Sequence, residues 1–242
     1  MRRPGRGGSS RAAALALVSN GTAASIPPAQ AAPLRLALML DATATPDIPG
    51  PAHAADRRVT VMHLRDELAA DRDAVHELHR LAFGDHGETV VALVRALRDD
   101  DPEALSLVAE EEDEVVGHVL FTRSLLDAPR RLVAVQVLSP LAVRPDRQRR
   151  GVGGALIRHG LRRLDERGVP TVFLEGDPGY YARFGFAAAG DLGFRRPSLR
   201  IPAPAFQAAR LSGYEPWMTG TLVYSATFWQ QDCVGLREEH SG

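Results

Sequence analysis

The chain has 242 residues, 45% of them hydrophobic and 24% charged, and 29 basic residues against 30 acidic ones leave a net charge of −1. This length suits one domain of ordinary size with some extra, or two small ones, and the composition suits a soluble globular protein. A near-neutral chain lacks the overall field that nucleic acid or a membrane surface draws on, no apolar run approaches membrane-spanning length, and a single cysteine, Cys233, excludes an internal disulfide and a cysteine-rich metal site.

Residues 1–56 are rich in Ala, Pro, Gly and Ser and show no sustained period. They read as a disordered extension or as a start codon placed too far upstream. The basic start and the short apolar run 12–18 mimic a signal peptide only weakly. A second apolar run, 34–40, has no cleavage-like context.

Regular patterning begins at Val59, and a folded domain is expected over 57–230, followed by a tail, 231–242. Residues 59–64 predict a strand. Residues 71–83 predict a helix, with Val75, Leu78, His79 and Ala82 at helical spacing and Gly84 as its stop. A second helix is expected over 88–98, with Val90, Leu93, Val94 and Leu97 on one stripe. Two strands, 106–110 and 115–125, flank an acidic turn and read as an antiparallel hairpin. A long strand follows over 131–143. Pro140 inside it lacks a backbone donor and implies a bulge or an unpaired stretch. Then come a long helix over 151–167 closed by Gly168, a short buried strand over 171–174, and a short helix over 180–184 stopped by Gly185. Residues 221–228 are the best candidate for a last strand. The order is mixed α/β.

The strand ending in Leu141, Ala142 and Val143 leads into Gln148-Arg149-Arg150-Gly151-Val152-Gly153-Gly154 and the long helix. A strand delivering a basic, Gly-rich loop onto a helix N-terminus can hold a pyrophosphate, because loop amides and the helix dipole both face the anion. A Cβ at Gly151 or Gly153 is expected to obstruct that approach. A Walker loop is excluded because every basic residue in the chain is arginine. A dinucleotide fingerprint is excluded by Leu156 at the third glycine position. Arg144, Arg147, Arg149 and Arg150 form a local basic cluster, read either as phosphate contacts or as a solvated turn. One short cluster with little aromatic interleaving does not make a nucleic-acid surface.

Gln148 to Gly153 matches the signature Q/R-x-x-G-x-G/A, and Gly179-Tyr180-Tyr181-Ala182-Arg183-Phe184-Gly185-Phe186 is similar to a Y-x-R/K-x-G-F segment. On these motifs the region from about Val59 to Phe228 resembles the GNAT superfamily of N-acetyltransferases. Within it, Leu81 to Gly84 with Gly87-Glu88, Gly176-Asp177-Pro178, residues 193–206 and Gly220 to Tyr224 look like the YhbS-like group. The resemblance implies the GNAT fold, a mixed and mostly antiparallel central sheet with flanking helices. It implies acetyl-CoA as co-substrate, no metal, and a cytoplasmic enzyme that moves the acetyl group directly to an amine of a small molecule or protein. A homodimer is the superfamily's suggestion. The backbone of Leu141, Ala142 and Val143 would pair with the pantetheine arm. Gln148, Arg149, Arg150, Gly151, Val152, Gly153 and Gly154 would hold the pyrophosphate. The acceptor would be set by residues 83–88 and 190–207.

Expelling a thiolate calls for a proton donor, and Tyr181 stands in the motif's tyrosine position as general acid; packing against the carrier arm is its other reading. The attacking amine must be neutral, so a base is expected, and Glu175, Asp177 and Glu88 are the candidates. Each is also readable as a cap, a turn residue or a surface charge. Glu175 departs from the apolar strand end that the resemblance leads one to expect. Without a defined base, a non-catalytic acyl-CoA-binding sensor is the alternative function. His76 and His79 are spaced to chelate a metal with Asp73, but His79 lies on the apolar stripe and reads as a core residue. Cys233 reads as a small buried residue.

Overall fold

A computed structural model describes residues 61–235. The expected extension over 1–56 and the end of the tail lie outside the described residues.

β1 (Met62–Asp66) opens the domain, three residues further along than the expected strand begins. α1 (Arg72–Phe83) buries Val75, Leu78, His79 and Ala82, the stripe read from the sequence, together with His76. One 3-10 turn, Gly84–His86, passes the chain directly to α2 (Gly87–Asp100). The two helices cross so closely there that a Cβ on Gly87 would lie 2.6 Å from the Arg80 Cα. β2 (Leu105–Glu111) and β3 (Glu114–Asp127) form the expected hairpin. Its turn residues Glu112 and Asp113 both have positive φ, the twist that suits a tight hairpin.

β4 (Leu132–Val143) pairs antiparallel with β3. The register slips where Phe121 faces Leu138 and Val119 faces Leu141, so Ser139 and Pro140 together oppose Leu120. This is the bulge that Pro140 predicts. α3 (Val152–Glu166) follows, then β5 (Thr171–Glu175), α4 (Pro178–Tyr181), β6 (Ala187–Ala188), β7 (Phe194–Arg195), β8 (Phe206–Arg210), β9 (Gly220–Val223) and α5 (Ala226–Gln230). The strands form one nine-stranded mixed sheet in the order β1-β2-β3-β4-β5-β8-β6. β9 lies beside the far half of β3, and β7 beside β9. Only β4 with β5 and β7 with β9 run parallel. A mixed, mostly antiparallel sheet with flanking helices is the expected fold class.

The expected strand over 221–228 is corrected. It ends at Val223, and Ser225 starts α5. Tyr224 leaves the ladder, its ring packs on Phe228, and its hydroxyl donates to Glu175, which ends pairing with β3. Cys233 and Val234 are buried in the same core.

α1, α2 and α5 cover one face of the sheet, where Val90, Leu93 and Phe228 pack with Leu120, Val135 and Phe173. α3 and α4 cover the other, where Leu156, Ile157 and Tyr181 pack with Phe121, Leu141 and Leu174. Gly160 lets α3 lie directly on Phe121: an added Cβ would sit 2.3 Å from the ring. Gly160→Ala therefore forces the helix or the ring to move, and thermal or urea unfolding should show a loss of about 1–3 kcal/mol. An unchanged midpoint would mean that this contact does not set the α3 position.

A buried polar chain fastens α1 and α2 to β3. Ser106 donates to Glu67, the His118 Nε2–H donates to Ser106 Oγ at 2.9 Å, and the His79 Nε2–H donates to His118 Nδ1 at 2.9 Å. Arg98 completes it with an ion pair to Glu67. Burial pushes the Glu67 carboxyl up, but the groups around it, the Ser106 hydroxyl and the Arg98 guanidinium among them, outweigh that and hold it below the usual carboxylate range. Burial drives His79 and His118 down, so both stay neutral. His76 turns instead to Arg95 and Arg98. His76 and His79 thus do not converge, and among the described residues no cluster of three or more His, Cys, Asp or Glu is arranged for a metal. No helix among them is long and apolar enough to cross a membrane.

Candidate active site

β4 and β5 pair only at Gln136 with Val172 and at Val137 with Phe173. Beyond that point they part, and the sheet splays open between the bulge at Ser139-Pro140 and Glu175. The Arg144 amide donates to the Val116 carbonyl, which fixes the alternation of the β3–β4 ladder. Ala142 then faces β3, while the backbone groups of Leu141 and Val143 face the splay. The side chains of Leu141 and Ala142 are buried, so what this stretch offers the splay is backbone.

The loop after β4 turns back on this edge. Gln148 Nε2 donates to the Val143 carbonyl at 3.1 Å and ties the loop to the strand end. Arg144 is held by Asp146 and Glu114, and Arg147 by Asp146 and Glu111. Arg149 and Arg150 are exposed beside them. Gly151 caps α3 with φ 90°, a conformation that favours glycine. The amides of Val152, Gly153 and Gly154 follow as the first turn, without intrahelical acceptors.

The protein's own atoms place different demands on these glycines. A Cβ on Gly151 would meet no protein atom within 4 Å, and its φ favours glycine there. A Cβ on Gly153 would lie 2.7 Å from the Tyr180 hydroxyl, and one on Gly154 would lie 3.1 Å from the Phe184 ring. These two glycines let the short α4 segment close against the start of α3. Arg183 stacks on the Tyr180 ring and donates to the Tyr180 carbonyl, which holds the segment in that pose.

The same segment carries Tyr181 into the splay. Its ring packs so tightly over Gly176 that a Cβ there would be 2.4 Å away. Tyr181 is 2% exposed and edges onto Phe186. Burial, then Tyr180 and Asp177, push its phenol well above the usual range, so it stays protonated. A narrow cleft between the parted strands is bordered by Ser139, Pro140, Glu175, Tyr181, Tyr224 and Cys233. Glu175 and Tyr181, two of the candidate residues, thus come together.

Glu175 accepts a hydrogen bond from the Tyr224 hydroxyl at 2.8 Å. Burial pushes its carboxyl up to about 7, against the pull of Tyr224, the Gly235 amide and Arg200. Such a carboxylate is half-ionised near neutrality, the condition under which a base works best. The other two carboxylates do not border the cleft. Asp177 Oδ1 accepts from the Gly179 amide and caps α4. Glu88 is exposed at the start of α2 and pairs with Arg80 at 2.6 Å. Burial raises the Cys233 thiol to about 12, which leaves it inert, in keeping with its reading as a small buried residue. Tyr224 borders the cleft and was not among the candidates read from the sequence. It stood within the quoted segment Gly220 to Tyr224, but as part of a strand.

Residues 63–189 match the acetyltransferase (GNAT) domain family. YjhQ of Escherichia coli strain K12, described as an uncharacterized N-acetyltransferase, is 40% identical over 144 residues, covering 57% of this chain and 78% of its own length. The crystal structure of the GNAT family N-acetyltransferase YhbS from Escherichia coli in complex with CoA aligns with a TM-score of 0.65 and 29% identity, over 76% of this chain and 98% of that one. A GNAT family acetyltransferase from Brucella melitensis in complex with acetyl-CoA aligns with a TM-score of 0.53 and 34% identity, over 70% and 99% of the two chains.

Proposed function

We propose that this chain, which belongs to the GNAT acetyltransferase family and has its fold, transfers the acetyl group of acetyl-CoA directly to an amine. The observation that carries the proposal is the convergence of Glu175 and Tyr181 on one cleft beside an exposed strand edge. The residues present fit the carrier. The first-turn amides of α3, with Arg149 and Arg150 beside them, suit a pyrophosphate. The backbone of Leu141 and Val143 suits the amide-bearing pantetheine arm. The YhbS and Brucella melitensis structures hold CoA and acetyl-CoA.

In this reading Glu175 takes the proton that the ammonium form of the acceptor must lose. The neutral nitrogen adds to the thioester carbonyl, an N–C bond forms and the C–S bond breaks. Tyr181 gives its proton to the departing thiolate and regains one from the nitrogen, which sheds its second proton as the amide forms, and the proton held by Glu175 passes to solvent as the site resets. A backbone amide facing the splay, such as that of Val143, stabilises the transient oxyanion. No covalent enzyme intermediate is required. The reaction belongs where acetyl-CoA is made and used, in the cytoplasm.

The test is release of free CoA from acetyl-CoA by the purified protein across a panel of amines, with acetyl-CoA affinity measured by calorimetry in the same samples. CoA release that depends on an amine, and an acetylated amine seen by mass spectrometry, are expected. Tight binding with no amine-dependent release across the panel would overturn the transferase reading.

A further inference from the structure

Residues 231–235, which follow α5, form a strap along the cleft. The amides of Gln231, Asp232 and Cys233 donate to the carbonyls of Thr227, Trp229 and Phe228, so the chain leaves α5 by a tight turn. Asp232 and Gly235 have φ of 52° and 60°, and each bends the chain sharply. Between them Cys233 and Val234 are buried in the core beneath α5. The end of the strap is seated on the backbone of the loop between β7 and β8. A Cβ on Gly235 would lie 2.6 Å from the Arg200 carbonyl carbon and 2.7 Å from the Ile201 nitrogen. The Arg200 guanidinium pairs with Asp232 at 3.4 Å and ties the start of the strap to the same loop.

This seat brings the strap to Glu175. Cys233 borders the cleft, and the Gly235 amide donates to the Glu175 carboxylate. The other groups that face this carboxylate are Tyr224 after β9, Tyr181 on α4 and Arg200 in the loop before β8. Tyr181, Tyr224 and Cys233 are all pushed up by burial, so none carries charge near neutrality. Arg200 brings positive charge, and Asp232 answers it from the strap. The Gly235 amide and Arg200 both favour the charged carboxylate, against burial. Burying Val234 would hold the strap down by itself. It does not call for a backbone N–H aimed at a carboxylate in the cleft, nor for a guanidinium shared between that carboxylate and Asp232.

We infer that residues 232–235 belong to the active site: through the Gly235 amide and the Arg200–Asp232 pair they position the Glu175 carboxylate as the base that deprotonates the acceptor. This rests on the transferase reading above and deepens it. The strap acts through Glu175 and touches no reacting atom, so Gly235, Asp232 and Arg200 are positioning residues.

Gly235→Ala tests it. The added Cβ runs into the Arg200–Ile201 backbone at a φ that alanine rarely adopts, so the strap end lifts and its amide leaves Glu175. The rising limb of kcat against pH should move up by about 1 unit, the size of one lost hydrogen bond to a charged group, with the plateau kept. Arg200→Gln should move the limb the same way, and Arg200→Lys, which keeps the charge, should move it less. The Arg200 side chain is partly exposed, so these two variants keep the test open if Gly235→Ala does not fold. Carboxyl NMR of the protein labelled with ¹³C-glutamate follows Glu175 without turnover, its signal identified by its absence in Glu175→Gln. The same upward shift is expected there. Midpoints that stay in place by both readouts, in folded variants, would overturn the strap and leave the transferase reading standing. A carboxyl midpoint that moves while the kcat limb does not would show that Glu175 is not the base, and would overturn the strap's part in catalysis with it. No amine-dependent CoA release by the unaltered protein would overturn both readings.

Discussion

Gly153→Glu should lower acetyl-CoA affinity by at least ~100-fold while the domain still folds. The substituted Cβ meets the Tyr180 hydroxyl at 2.7 Å and Val143 Cγ2 at 3.4 Å, so the α4 segment must give way at the mouth of the loop. The carboxylate then sits in the first turn of α3. It suits the helix dipole there and therefore does not weaken the helix, but it takes the place and reverses the charge of what an incoming phosphate needs. Two further variants separate these effects. Gly153→Ala brings only the steric part and should cost less. Arg149→Glu with Arg150→Glu touches no packed contact, because both residues are exposed, and should weaken binding in a salt-dependent way. Calorimetric titration of acetyl-CoA at two salt concentrations checks all three. Full affinity in Gly153→Glu, with the protein folded, would mean that the phosphates lie elsewhere.

The loop was legible in the sequence because everything it needs is local. A strand end, a glycine that caps with positive φ, and a helix start occupy one continuous stretch, Leu141 to Gly154. The same holds for α1, α2 and the β2–β3 hairpin, whose periods arise within single elements. Even so, the role of each glycine depended on the fold. Only the packing of α4 on α3 reveals that Gly153 and Gly154 make room for Tyr180 and Phe184, while Gly151 serves its own backbone. Tyr224 was illegible for a stronger reason. It reaches Glu175 across 49 residues of sequence. It does so because β9 leaves the β3 ladder after Val223, and no periodicity in residues 221–228 marks that exit. The two-residue strands β6 and β7 carry too little pattern to read, and β8 follows a run of prolines that suggests a loop. Glu175 looked out of place at an apolar strand end. Burial facing Tyr224 turns that anomaly into a carboxyl poised near neutrality.

Glu175→Gln should reduce kcat by about 10²–10³-fold with acetyl-CoA affinity unchanged. In the unaltered protein kcat should rise with pH through about 7, where Glu175 ionises, and then level off. An acceptor whose own amine titrates outside this window makes the limb readable. The limb should vanish in Glu175→Gln. Tyr224→Phe should keep it but move it to higher pH, because the hydroxyl that favours the charged carboxylate is gone. Tyr181→Phe should lower kcat about 10–100-fold and leave the limb where it is, since the phenol stays protonated throughout. Stability gives an independent check of opposite sign. A carboxyl whose folded-state pKa is raised from 4.5 to about 7 binds more protons folded than unfolded between those values, so it stabilises the fold at low pH and that stability is lost as pH rises. Glu175→Gln should therefore unfold at higher temperature than the unaltered protein at pH ~8, by up to about 3 kcal/mol, and the gap should close towards pH ~4. Slower turnover in a more stable protein is the signature of a strained catalytic carboxylate. A Glu175→Gln protein that keeps its activity, or that gains no stability above neutrality, would remove Glu175 from the chemistry and leave it as a packing residue behind Tyr224.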